Sequence, residues 1–126
     1  MMAANTARLG FGRAMRIKDG RDFTRIRQNG RRLVHGCLIA NWLRIPAQAG
    51  SRLGVITASK IGGAVVRNRA RRLMRESFRL HQLELKESVD LVLVARPSIA
   101  GKSMAEVEND FLTTMRKAGL LEQPSA

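Results

Sequence analysis

Lys60-Ile61-Gly62-Gly63-Ala64-Val65-Val66-Arg67-Asn68-Arg69-Ala70-Arg71-Arg72-Leu73-Met74-Arg75 is the stretch that decides how this chain of 126 residues is read. Gly62-Gly63 breaks the preceding element, and the residues after it carry helical periodicity. At 100° per residue, Val66, Ala70, Leu73, Ser77 and Leu80 fall on one side of a helix over about 64–82. Arg67, Asn68, Arg71, Arg72, Arg75 and Arg79 fall on the opposite arc. Arg69 lies near the edge of the apolar stripe, which predicts a carboxylate or carbonyl partner for it inside the protein. From Arg67 to Arg75 there is no acid, and such a density repels itself unless a polyanion neutralises it. A charged arc is more often a solvated face, but only Glu76 interrupts this one before Arg79. The planar fork of arginine suits bidentate phosphate contact, and the Asn68 amide can both donate and accept.

Working outward, 52–58 reads as a strand before the helix, and Val89–Ala95 as a strand buried on both faces after it. Together they predict a βαβ unit, for which a right-handed crossover is the default. Residues 33–45 read as one strand ended by Pro46, with 47–50 as a turn and 52–58 as the returning hairpin partner. Both of its alternating sets, Leu38, Ala40, Trp42 and Cys37, Ile39, Asn41, Leu43, Ile45, are largely apolar, so the pattern leaves the core face open. Asp19 caps a first helix over Gly20–Asn29, with Phe23 and Ile26 as its apolar edge and Gly30 at its end. Ser103 and Glu106 form a capping box for a last helix striped by Val107, Phe111, Met115 and Ala118. The fold class is α/β, an α+β sandwich of a small mixed sheet with helices in the order α-β-β-α-β-α. A flexible basic arm is expected over 1–15, a single domain over 16–119 and a tail over 120–126.

Lys and Arg number 23 against 10 acids, a net charge of +13, which points to RNA, DNA or an anionic membrane as partner. No apolar run approaches the roughly 20 residues that span a bilayer, and the basic helix lacks anchoring aromatics. Aromatics make up 4% of the chain, with no Tyr, so recognition is expected to rest on phosphates, sugars and shape rather than on many stacking platforms. A helix-turn-helix does not fit a basic helix that follows a strand and Gly62-Gly63. The single Cys37 excludes an intramolecular disulfide and a cysteine zinc site, and it reads as a core residue in a reducing compartment. His35 and His81 lie far apart and read as structural or surface groups.

A protein nuclease needs a metal-binding carboxylate cluster or an acid–base pair. Asp19 and Asp22 belong to the first helix, Glu76 to the basic helix, Glu84 and Glu87 to its exposed end. Asp90 stands at a buried strand, and Glu106, Glu108 and Asp110 lie in the first turns of the last helix, where the helix dipole favours them. No set converges, and neither a Ser/His/Asp constellation nor a P-loop is present. The expectation is no catalytic residue and no metal ligand on the protein.

Ser59-Lys60-Ile61-Gly62, Ala64-Val65-Val66-Arg67-Asn68-Arg69, Arg72-Leu73 and Arg75-Glu76-Ser77-Phe78-Arg79 together resemble the signature of the bacterial ribonuclease P protein component. Arg16-Ile17 with Asp22-Phe23 resembles that family's opening helix, Arg52-Leu53-Gly54-Val55 the strand before the signature, and 90–96 the strand after it. The resemblance implies the small subunit of a ribonucleoprotein endonuclease that removes 5′ leaders from precursor tRNA. It implies catalysis by the partner RNA, with Mg²⁺ held mainly by that RNA and no cofactor bound tightly by the protein. Lys60, Arg67, Asn68, Arg69, Arg71, Arg72, Arg75 and Arg79 would bind the catalytic RNA. A cleft between the first helix and the sheet would hold the leader, with Phe23, Arg27, Ile39 and Asn41 at its matching positions. Arg27 and Asn41 stand where aromatics are common in the family, which implies a more electrostatic grip. The family also implies a left-handed βαβ crossover, a monomer in a 1:1 complex with RNA, and a cytoplasmic location without membrane contact. The alternative is a non-enzymatic RNA-binding module, such as a ribosomal protein of similar fold, with the basic face but no cleft.

Overall fold

Val89–Ala95 is apolar except for Asp90, and such a strand is at home where both faces are covered and both edges are paired. It occupies that place in the computed structural model, which describes residues 15–123, the Gln48 side chain excepted. The elements are α1 (Gly20–Asn29), β1 (Arg31–His35), β2 (Leu38–Arg44), β3 (Arg52–Ile56), α2 (Ala64–His81), β4 (Val89–Ala95) and α3 (Met104–Lys117). The sheet runs β1-β2-β4-β3. β2 is antiparallel to both β1 and β4, and β3 is parallel to β4, so β3–α2–β4 is the parallel unit read from the sequence. The N-terminal arm expected over 1–15 lies, except for Met15, outside the described residues.

Two expectations about the strands are corrected. The single strand over 33–45 is a hairpin, β1 turning into β2 through Gly36-Cys37, with Gly36 at φ +56°. Apolar residues on both sides hide the break. A Cβ on Gly36 would sit 2.3 Å from the Asp110 carboxylate, which instead accepts the Cys37 backbone N–H at 3.0 Å. Cys37 is buried at this turn, and burial, then Asp110, pushes its thiol up to about 12. The second correction is that β2 does not pair with β3, because β4 inserts between them. The order is therefore α-β-β-β-α-β-α.

One face of the sheet presents Leu38, Ala40, Trp42, Leu53, Leu91 and Leu93 to α2 and α3. From α2 come Ala70, Leu73, Met74, Ser77 and Phe78, and from α3 Val107, Phe111 and Met115. Met74 and Phe78 thus replace Val66 and Leu80 of the expected stripe, since the larger side chains gain more from burial. Ser103 and Glu106 form the capping box. Leu120 and Leu121 are buried, so the packed body extends past the expected end at 119. His81 joins α2 to α3. Its Nδ1 lies 2.7 Å from Glu84 and its Nε2 2.6 Å from Glu108. Burial lowers its pKa, but the hydrogen bonds to Glu108 and Glu84 outweigh that and raise it above the ordinary value.

The opposite face carries α1 across one end. Ile17, Ile26 and Val92 form a second small core there, with Phe23, Leu43 and Val94 packed against it. Two glycines permit the approach. A Cβ on Gly30 would lie 2.2 Å from the Trp42 carbonyl oxygen, and one on Gly54 2.7 Å from the Phe23 ring. Asp90, 1% exposed, accepts from Arg52 Nε at 2.8 Å, Arg52 Nη2 at 2.7 Å and Arg25 Nη2 at 2.8 Å. Asp22 sits 3.2 Å from Arg25 and 3.7 Å from Arg52. Burial pushes the Asp90 carboxyl up, but the hydrogen bonds from Arg52 and then Arg25 outweigh it and hold the group below its ordinary 3.8.

Replacing Asp90 with Asn should cost about 2–3 kcal/mol in urea denaturation, below the roughly 3–5 of a fully enclosed pair because both arginines keep part of their surface in water. A carboxylate with a depressed folded pKa contributes stability above its unfolded value and loses it on acidification. The gap between wild type and Asp90→Asn is therefore expected at pH 7 and should shrink as pH falls below 3.8. Equal stability at pH 7 would contradict the assignment.

Candidate nucleic-acid interface

The first surface is the outer arc of α2. The helix starts at Gly63 with no side-chain cap and no acid in its first turn, so its positive dipole end is uncompensated. Lys60, Arg67, Arg69, Arg72 and Arg75 make no ion pair with any acid among the described residues. Arg71 is held in place: Nη1 donates to Thr57 Oγ1 at 2.5 Å, and Nη2 donates to Asn68 Oδ1. Arg79 is paired with Glu76 at 2.6 Å. Its charge is thus partly answered, which separates it from the rest of the arc.

Arg69 departs from expectation. It is half-buried beside Ile99 and Ala100, with no carboxylate or carbonyl partner among the described residues. Arg67 and Arg71 are half-buried as well, because the stripe centred on Met74 and Phe78 brings them to its other border. Arg75 lies beside Arg16, Lys18 and the backbone of β3. Burial, then Arg16 and Arg71, depresses its guanidinium below the ordinary value, as expected for crowded cations. The sequence reading left Arg16 out of the interface. Its signal was the acid-free N-terminal stretch, but the placement depends on a bridge from Arg16 to Leu53 along the edge of β3.

The second surface is a trough beside α1. Strand register places Arg32, Asn41, Val92 and Gly54 in one row across the sheet, and Val34, Ile39, Val94 and Ile56 in the next. α1 covers the end that holds Leu43, Asp90 and Arg52, and leaves the second row open. Val34 is 43% and Ile56 39% exposed, while Ile39, Asn41 and Val94 are half-buried. Phe23 lies over Gly54 at the trough wall, and Arg27 is exposed one helical turn further along the same edge of α1. Phe23, Ile39 and Asn41 therefore share one face of the sheet, Asn41 in the row of Gly54 and Ile39 in the next, with Arg27 exposed on the adjacent turn of α1. Arg32, Val34, Val94 and Ile56 belong to the same surface but were not found in the sequence, because the β1–β2 turn was hidden and the strand faces were ambiguous.

Among the described residues, no group of three or more His, Cys, Asp or Glu could hold a metal ion. Asp22 and Asp90, the acids at the α1 end of this face, are taken by Arg25 and Arg52. No helix among them is long and apolar enough to cross a membrane.

The family model for Ribonuclease P matches residues 11–119. The ribonuclease P protein component of Syntrophomonas wolfei is 39% identical over 105 residues, covering 83% of this chain and 87% of that one. That of Alkaliphilus metalliredigens is 34% identical over 106 residues, covering 84% and 95%. Among solved structures, a mutant RNase P protein of Staphylococcus aureus superposes with a TM-score of 0.78 at 25% identity, over 86% of this chain and 91% of that one. The RNase P protein of Thermotoga maritima shares the fold, with a TM-score of 0.72 at 24% identity over 81% and 96%.

The two arginines at the middle of the arc should behave differently in thermal denaturation. Arg72→Ala removes an exposed side chain with no partner among the described residues and should change stability by less than about 0.5 kcal/mol. Arg71→Ala removes the Thr57 and Asn68 contacts and should cost about 1 kcal/mol. Identical melting curves for the two variants would contradict the contacts described.

Proposed function

We propose, since this chain belongs to the family of ribonuclease P protein components, that it docks the catalytic RNA of ribonuclease P along the α2 arc and holds the 5′ leader of precursor tRNA in the trough beside α1. Its relatives carry the name ribonuclease P protein component, a subunit of an endoribonuclease, and the reaction proposed for the complex is hydrolysis that leaves the mature 5′ end of tRNA. The observation that carries this reading is that Lys60, Arg67, Arg69, Arg72 and Arg75 make no ion pair with an acid among the described residues. An RNA backbone answers them and releases its counterions on binding.

The trough suits a single strand. Val34, Ile39, Val94 and Ile56 give it an apolar floor for sugar and base faces, and Phe23 offers a ring for one base to stack on. Arg27 and Arg32 can meet phosphates, and the Asn41 amide can pair with a base edge or a 2′-hydroxyl. A binding module that served only as an RNA anchor would have no use for this open apolar row, which favours the leader reading. Since the protein's acids are committed to arginine or lysine, to His81, to the α3 cap and to the Cys37 N–H, the Mg²⁺-dependent chemistry is assigned to the RNA. The protein's part is to bind and position both RNAs, in a 1:1 complex in the cytoplasm where tRNA precursors are processed.

Reconstitution with the catalytic RNA and a precursor tRNA tests this. The protein alone should leave precursor tRNA intact, and with the RNA it should raise cleavage at low Mg²⁺. If about six cations meet phosphates, affinity for the catalytic RNA should fall on the order of 10³-fold between about 50 and 200 mM salt. Cleavage by RNA-free protein would overturn the assignment.

A further inference from the structure

Val65 is 82% exposed, the most exposed large apolar side chain among the described residues. A β-branched residue in an exposed first helical turn gains nothing from packing and is a weaker helix former than alanine. Val66 beside it is 36% exposed. Together with Arg69, Ile99 and Ala100 they line a shallow concavity where the start of α2 meets the segment after β4.

Position gives this patch its meaning. Val65, Asn68, Arg69 and Arg72 stand at i, i+3, i+4 and i+7 of α2 and so share one face. Val65 therefore sits within the cationic arc, and a ligand that neutralises Arg69 and Arg72 must also cover it. Phosphates alone would leave the valine against a charged, hydrated group, at a cost in desolvation. A partner that matches both features carries negative charge and flat apolar surface side by side, as an unpaired nucleotide does.

We propose that Val65, with Val66 and Ala100, forms an apolar seat for an unpaired nucleobase of the RNA that docks on α2, while the surrounding arginines hold its flanking phosphates. This rests on the RNA-docking reading above and adds a contact that salt does not screen.

The two kinds of contact separate in a salt titration. Full-length wild type, Val65→Ser and Arg72→Ala are compared for binding to the catalytic RNA across a range of salt, and to inorganic polyphosphate, a polyanion without bases. Val65→Ser should bind the RNA on the order of five-fold more weakly at every salt concentration, with the wild-type salt slope, an unchanged melting temperature and unchanged polyphosphate affinity. Wild-type RNA affinity in Val65→Ser, or an equal loss toward polyphosphate, would overturn the nucleobase seat and leave RNA docking standing. Arg72→Ala should flatten the salt slope, and an unchanged slope there would instead remove the RNA-docking reading on which the seat depends.

Discussion

A carboxylate buried in the central strand must be answered by cations, and Asp90 draws them from two other elements. Arg25 comes from α1 and Arg52 from β3, so one charged group ties a helix and an edge strand to the middle of the sheet. Against an apolar replacement such a cluster is a weak source of net stability, but as a constraint on geometry it is strong, because each arginine removed strips hydrogen bonds from a buried carboxylate. The cluster stands at the end of the sheet face that α1 covers. It fixes how far the helix reaches across the strands, and with Gly54 and Gly30 it sets where Phe23 comes to rest. The open row from Val34 to Ile56 is what remains of that face.

The same accounting explains the other surface. Asp19, Asp22, Glu76, Glu87 and Glu122 pair with arginine or lysine, and Glu84 and Glu108 share His81. Glu106 closes the cap of α3 and Asp110 accepts the Cys37 N–H. With Asp90, that is all 10 acids of the chain, each with a partner other than Lys60, Arg67, Arg69, Arg72 or Arg75. The positive face is thus a consequence of where the negative charge is committed, and not only of a net charge of +13.

The sequence revealed what is local. The Asp19 cap, the Ser103–Glu106 box, the span of α2 and the burial of Val89–Ala95 all follow from spacing and short-range hydrogen bonding. The misreadings share a tertiary cause. Apolar alternation runs through Gly36-Cys37 without a visible break, so two strands read as one. β4 enters between β2 and β3 from far along the chain, which no turn signal announces. The partners of Asp90 are not legible in the sequence because they lie 65 and 38 residues away. Arg69 was expected to find a partner because the stripe was centred on Val66 and Leu80, when Met74 and Phe78 set it. For the site, the charged arc was legible because one helix carries it. The trough was only partly legible, because three strands and a helix must first come together.

The central claim is that one face of the protein serves the catalytic RNA and the trough serves the leader. Its most direct test is the affinity of the reconstituted ribonucleoprotein for precursor tRNAs with leaders of increasing length, measured with wild type and with Ile39→Glu, which places a negative charge on the trough floor. For wild type the affinity should rise with leader length and then level off. For Ile39→Glu it should stay near the leaderless value while assembly with the catalytic RNA is unchanged. The same length dependence in both proteins would contradict the account.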